Sequence, residues 1–256
     1  FRATGSSCNC AMPVIVINTA VAEQLTEFKA EVDKLIAKDV KKDEAILQVI
    51  RKFITASKNI RFEGNGYSDA WIKEAAKRGL RSANNVTEAF KEYLRPESVQ
   101  LFTKYGVLSR SELTARYEIK NEIFVKKVQI ESRVIADMAA NHIIPTAIRY
   151  QNILIDNVRG IKEIFPDEVD ALAGDEMRTI REIIGHVNVI RSVSEEMTTI
   201  RHRLNRVPDI PARAKGYEKE VREKMSVIRE HIDALEMIID DDLWSMPKYR
   251  ELLATL

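Results

Sequence analysis

Apolar residues recur along most of this chain at spacings of three and four, the period at which side chains return to one face of a helix. The first run is Val14, Ile17, Val21, Leu25, Phe28, Val32 and Leu35, and it begins just after Pro13. Proline suits a first helical turn, where its missing N–H has no intrahelical partner to lose. A second run, Ile46, Val49, Ile50, Phe53 and Ile54, predicts a helix from about Asp43. The stretch RFEGNGYSDAW, with Gly64, Asn65 and Gly66, reads as a turn. Ser68 then serves as the N-cap of a short helix ending near Gly79. Asn85 or Thr87 opens another short helix, Pro96 starts the next, and Tyr105-Gly106 closes it.

Three longer stretches follow. From Ser109 or Ser111 the apolar positions are Leu113, Tyr117, Phe124, Val128, Ile135 and Met138. Pro145 is expected to kink or divide this helix, because its ring clashes with the preceding turn. Glu176 to about Arg206 carries Met177, Ile180, Ile184, Val187, Ile190, Val193, Met197, Ile200 and Leu204. Glu218 to Ile239 carries Val221, Met225, Ile228, Ile232, Leu235 and Ile239, alternating by four and three as in a coiled-coil seam. The connection VPDIPARAKGY, with Pro208, Pro211 and Gly216, is short, so these two helices should fold back as an antiparallel hairpin. Ile183, Val189 and Ile238 fall off the main stripes, and that extra width calls for a third packing surface. The long helix from Ser111 to Asn141 is the expected one. The fold class is therefore all-α, a helical bundle with a long coiled-coil-like antiparallel hairpin and at most a strand stub at Phe1–Ala3.

Composition supports this picture and narrows the partners. The 256 residues suffice for one large domain or two small ones. Hydrophobic residues at 45% and charged residues at 31% are the balance of a soluble, helical protein. Forty basic against 39 acidic side chains leave a net charge of +1, with no global pull toward nucleic acid or an anionic membrane. No apolar run approaches the roughly 20 residues a bilayer span needs. Cys8 and Cys10 are too close for an unstrained mutual disulfide, and reduced, packing cysteines in a cytoplasmic protein are the expectation.

Several constellations invite chemistry. Arg201, His202, Arg203 and Arg206, with Arg213 and Lys215 beyond the turn, could grip phosphates, of RNA or of a nucleotide. They also read as a solvated helix end whose cations suit the C-terminal dipole, and no stacking aromatics interleave. His142, in MAANHIIPTAIRY, sits among apolar residues without carboxylates at i±3 or i±4, and reads as a packed, hydrogen-bonded histidine rather than a ligand. Asp240, Asp241 and Asp242 lack the glycine and closing glutamate of a calcium loop, and read as a polar helix terminus. There is no Walker-type glycine loop, no G-x-S-x-G and no H-E-x-x-H.

The opening segment carries a resemblance. Phe1-Arg2-Ala3 followed by GSSCNCAMP resembles the end of the catalytic domain in glutamine synthetases, where a strand bearing a Glu-x-Arg pair precedes a segment leading into a helix. Arg2, Ser7, Cys8 and Asn9 fall at matching offsets. GNGYSDAWIKEAAKRGL, LFTKYGVLSRSEL (101–113), ARYEIKNE (115–122) and IIPTAIRYQ (143–151) resemble the C-terminal region of the type III enzymes, so the resemblance spans essentially the whole chain. It divides the chain into residues 1–40, the end of the catalytic domain, and residues 41–256, a type III-specific helical domain.

The resemblance implies an ATP-dependent ligase. ATP phosphorylates the glutamate side chain, ammonia displaces the phosphate, and magnesium neutralises the charge. The partners it implies are glutamate, ATP and ammonia, within a ring-shaped homo-oligomer, without nucleic acid or membrane. Most metal ligands in the family come from upstream strands, and the metal-binding glutamate of the pair falls immediately before Phe1. Only Arg2 matches a family active-site position, and no metal-binding or cofactor-binding residue is assigned. A guanidinium there suits the transferred phosphoryl group or the substrate carboxylate. The chain alone is thus expected to be inactive, its helices serving packing and assembly and its hairpin helping to fix subunit contacts. Two features depart from the family: Cys10 stands where shorter members have proline, and no tyrosine here matches the adenylylated one of type I enzymes. A helical oligomerisation or partner-binding module without catalysis is the alternative reading.

Overall fold

The computed structural model describes residues 9–254, and among them it is helical nearly throughout, with no strand. The strand stub expected at Phe1–Ala3 lies outside the described residues. The chain divides into two compact units, Phe1–Tyr117 and Glu118–Leu256.

In the first unit, α1 (Ala11–Ile36) and α2 (Lys42–Ala56) pack through Val32, Ala45 and Val49, joined by Phe28, Leu35 and Phe53. Phe28 and Phe53 stack with ring centroids 5.8 Å apart. Only the C-terminal half of the α1 stripe is used here, and Val14, Ile17, Val21 and Leu25 are exposed. The short helices α3 (Asp69–Lys77), α4 (Val86–Phe90) and α5 (Pro96–Lys104) start where the caps predict. The Ser68 hydroxyl accepts from the Trp71 amide at 3.2 Å, and Asn85 Oδ1 accepts from the Glu88 amide at 2.9 Å. Gly79 and Gly106 end their helices at φ 75° and 63°, in the left-handed region that glycine occupies without strain. At Gly64, with φ 148°, an added Cβ would meet Phe62 Cζ at 2.9 Å. Glycine there lets Phe62 lie flat on Trp71, centroids 3.7 Å apart. Phe102, Leu108 and Leu113 form a second small cluster with Met12, Tyr93 and Val99.

Helix α6 (Arg110–Met138) opens with a capping box. Ser109 donates to Glu112 Oε2 from its amide at 2.7 Å and its hydroxyl at 2.8 Å, and the Glu112 amide donates back to the Ser109 hydroxyl at 3.3 Å. Pro145 stands where the helical run is divided, as expected, but no loop intervenes. Ala139–Ile143 form a π turn, closed by the Ile144 amide donating to the Ala139 carbonyl, and the chain continues as α7 (Ile144–Ile164). The wider turn puts the proline ring in the first turn of a new α segment, where no i−4 carbonyl is in its way.

Beyond α8 (Val169–Leu172) comes the expected hairpin of α9 (Gly174–Leu204) and α11 (Arg222–Ile238). Its connection is shorter than the sequence suggests. Asp209 Oδ2 accepts from the Ala212 amide at 2.7 Å and Pro211 sits in the first turn, so α10 (Ile210–Gly216) starts within the expected loop and runs through a second π turn, Tyr217–Val221, into α11. A terminal helix, α12 (Tyr249–Ala254), follows. The two arms are antiparallel: His186 meets His231, Glu196 meets Lys224 at 2.6 Å, and Arg203 meets Glu220.

Val187, Ile190, Val193, Met197 and Leu204 of α9 share one core with Val221, Ile228, Ile232, Leu235 and Ile239. One position of the stripe is corrected. Ile183 is 0% exposed and Ile184 is 41% exposed, because counting back from Val187 by four, not three, stays on the buried face. Val125 and Val128 of α6 and Ile143, Ile144 and Ala147 beyond it belong to the same core, and Val189 and Ile238 pack against it. The third surface that the hairpin's width calls for therefore comes from the same chain.

Candidate functional site

Arg2, the assigned catalytic residue, lies outside the described residues, as do Ser7 and Cys8. At the described edge of that segment, Asn9 Oδ1 accepts from the Ala11 amide at 2.8 Å, and Cys10, the N-cap position of α1, is an exposed free thiol rather than a packed one. Among the described residues no group of three or more His, Cys, Asp or Glu could hold a metal ion, and no helix is long and apolar enough to cross a membrane.

The other sequence candidates separate once folded. His142 is exposed on the π turn, not packed: the inserted residue turns Ile143, Ile144 and Ala147 onto the core face and leaves the imidazole outside. Asp240 caps its own turn by accepting from the Asp242 amide at 2.8 Å, and Asp241 pairs with Lys248, whose ammonium also donates to the Glu236 carbonyl at 2.9 Å. This is the polar helix terminus that the sequence suggests. An apolar groove of about 510 Å³ lies nearby, lined by Ile130, Val134, Met138, Ile232, Trp244 and Leu252.

The basic patch is not one surface. Arg203 is paired with Glu220, and Arg213 donates from Nε at 2.9 Å and Nη2 at 2.5 Å to the Val207 carbonyl, closing the chain reversal after α9. His202, Arg206 and Lys215 are exposed. Arg201 is the exception to a solvated helix end: it is only 7% exposed. It stands on the seam, four residues after Met197 and three before Leu204, where the pattern calls for an apolar side chain.

Around Arg201 the structure gathers residues that no sequence motif joins. Asn205 Oδ1 accepts from the Tyr217 hydroxyl at 2.7 Å and from Gln129 Nε2 at 3.3 Å. Burial, and then the nearby Arg133 guanidinium, push the Arg201 pKa below its ordinary value. Burial pushes the Tyr217 phenol up, against the opposing pull of Arg201, Arg133 and Arg213. The one legible signal for this corner was the charged residue at a heptad position. Gln129, Arg133 and Tyr217 come from distant segments and carried none.

Residues 45–162 match the family model described as glutamine synthetase C-terminal domain. The chain is 46% identical over its full 256 residues to a glutamine synthetase of Bacteroides fragilis (strain YCH46), covering 35% of that protein. It is 27% identical over 254 residues, 99% of the chain, to a type-3 glutamine synthetase of Dictyostelium discoideum, covering 34% of it. A glutamine synthetase of Butyrivibrio fibrisolvens is 27% identical over 223 residues, 83% of the chain and 30% of that relative. The chain thus spans about a third of the length of the curated relatives it matches. The C-terminal domain model of the glutamine synthetases matches the middle of the chain, and glutamine synthetases align with it along its whole length, so it is to these enzymes that the chain is similar.

Proposed function

We propose that this chain is the helical C-terminal portion of a type III glutamine synthetase, the enzyme that ligates ammonia to glutamate at the expense of ATP. The observation that carries the reading is the 46% identity to a glutamine synthetase sustained over every residue of the chain while covering 35% of that relative. That similarity speaks for the ligase, and the third-length coverage speaks for a division of labour. In this reading the nucleotide and magnesium sites are built elsewhere in the polypeptide, and this portion supplies packing and assembly in a homo-oligomeric, cytoplasmic enzyme. The chain alone has no ligase activity.

Arg2 is the one residue of this chain proposed to face the reaction. A fixed planar cation there would stabilise negative charge that grows on the phosphoryl group or substrate carboxylate during transfer, an interaction stronger in the transition state than in the ground state. In the intact enzyme, Arg2→Ala should therefore lower kcat about 10²–10³-fold, or roughly 3–4 kcal/mol, with a smaller change in KM for ATP. Steady-state kinetics of γ-glutamyl transfer and of biosynthesis measure this. A near-normal kcat removes Arg2 from the site, and γ-glutamyl transfer by the purified chain alone overturns the division of labour.

A further inference from the structure

The corner around Arg201 has a composition that the packing role leaves unused. Two hydrogen bonds fix how α6 and α7 run against α9. Gln129 reaches Asn205 at 3.3 Å, and Asn157 reaches Glu176 at 3.4 Å, so the helices are antiparallel with constant register. One turn forward from Gln129 is Arg133, and one turn back from Asn205 is Arg201. The register therefore sets these two residues opposite each other. Their mutual influence agrees, since Arg133 is the second cause, after burial, that weakens the hold of Arg201 on its proton.

Arg201 is 7% exposed and its Nε is buried without a hydrogen-bond partner. Among the described residues no carboxylate forms an ion pair with Arg201 or Arg133, although most other buried or half-buried cations in this unit have one, as Lys224 does with Glu196 at 2.6 Å. The neutral groups at the corner also offer donors. Asn205 Oδ1 is filled by Tyr217 and Gln129, which leaves its Nδ2 hydrogens to be given. A buried cation beside a second cation, with an N–H that meets no acceptor and no carboxylate paired to it, is costly unless an anion completes it.

We propose that this corner is an oxyanion site in which Arg201 and Arg133 hold a phosphate-type ion, with Asn205 as a further donor. A guanidinium presents paired N–H groups in the geometry of two oxygens of such an ion. A doubly charged phosphate balances both guanidinium groups, which a single carboxylate does not. Tyr217, whose hydroxyl donates to Asn205 Oδ1 at 2.7 Å, is a positioning residue: it holds the amide oxygen and so fixes the amide plane. The site does not depend on the ligase reading, because every group in it belongs to the packing of this chain.

The test is calorimetric titration of the intact protein with inorganic phosphate at constant ionic strength, comparing wild type with Arg133→Gln and Arg201→Met. Wild type should bind one more phosphate per chain than Arg201→Met, and Arg133→Gln should weaken that site about ten- to hundred-fold. In phosphate-free buffer Arg201→Met should melt at or above the wild-type temperature, since a buried unpaired cation is replaced by an apolar side chain of similar length. Phosphate should then raise the wild-type melting temperature and leave that of Arg201→Met unmoved by this site. Arg133 is exposed, so its variant keeps the fold and decides the question even where Arg201→Met does not fold. Unchanged phosphate affinity and stoichiometry in Arg133→Gln, or equal stabilisation by chloride at matched ionic strength, overturns the proposal and leaves an adventitious ion only.

Discussion

The two units of this chain are held by different physics. The second has one contiguous core, in which the seams of α9 and α11 interlock with residues of α6 and α7. The first has two clusters of three buried residues each, and half of its longest apolar stripe, on α1, is exposed. What the first unit lacks in core it replaces with local devices: the Ser68 and Asn85 caps, the Ser109–Glu112 box, left-handed glycines at 79 and 106, and the Glu23 carboxylate held by Lys104 at 2.7 Å and Tyr105 at 2.5 Å. Large cores lose stability steeply when a buried position is spoiled, whereas capped, locally ordered helices lose it in small steps. Each unit contains one tryptophan, Trp71 in the first and Trp244 in the second, so Trp71→Phe and Trp244→Phe backgrounds would let fluorescence follow the units separately.

The largest effect should come from Ile228→Asp. The residue is 0% exposed at the centre of the hairpin, and a buried unpaired carboxylate with lost packing should cost the second unit roughly 2–5 kcal/mol. Denaturant unfolding read at Trp244 should move to lower midpoint while the Trp71 signal stays. Equal movement of both would make the units one cooperative body and end the contrast. In the intact protein the same change should lower assembly size in light scattering, and an unchanged assembly would separate the hairpin from the subunit contacts.

Gly216→Ala is a smaller test of how tightly that core closes. A Cβ at position 216 would run into the Leu204 side chain, on the buried end of α9, so overpacking should cost about 1–3 kcal/mol by the same Trp244 measurement. A neutral result would mean that Leu204 has room to turn away. Ser109→Ala, by contrast, touches no core. Losing the capping box should cost about 1 kcal/mol, read as a lower melting temperature, with Ser109→Thr restoring most of it.

The smallest effect is electrostatic and should fall more on the first unit. Hydrogen bonds from the Ser109 amide and hydroxyl hold the Glu112 carboxyl below the usual carboxylate range, Lys104 and then Tyr105 do so for Glu23, and Arg78 does so for Glu74. In the second unit Lys126 lowers Glu122 in the same way. A depressed folded pKa means that the stabilisation is present above the ordinary carboxylate pKa and is lost as pH falls through it toward the lower folded value. Glu112 is exposed and Glu23, Glu74 and Glu122 are half-buried at the surface, where solvent screens them, so each contribution is small. Acid titration from about pH 6 to pH 3, across the unperturbed Glu value near 4.3, should lower the Trp71 midpoint more than the Trp244 midpoint. The opposite order would show that the local carboxylate bonds of the first unit contribute little.

Much of this fold is legible from local rules because those rules involve residues close in sequence. Ser68, Asn85, Pro96 and the glycines act within one turn of themselves, and each helix boundary they mark appears in the structure. The hairpin is legible for a related reason: a three-four repeat defines a face without knowing what covers it. The π turns are not. Whether Pro145 breaks a helix or is absorbed depends on a five-residue turn before it that shifts the phase of everything after, and this is why His142 ends outside while Ile143 and Ile144 go in.

The sequence by itself determined the all-helical class, the caps, the antiparallel hairpin and, through motifs spread along the chain, the resemblance to the glutamine synthetases. Those are properties of periodicity and of short linear patterns, which survive without coordinates. Only the tertiary structure decided that Ile183 and not Ile184 is buried, that α7 joins the expected α6 in the hairpin's third surface, and that Arg201 stands in a seam opposite Arg133 beside Tyr217. A shift of one residue rotates a side chain by about 100°, and residues 68 and 84 positions apart meet only when antiparallel helices settle into one register. That register is chosen by the packing of the whole core, and no local stretch of sequence encodes it.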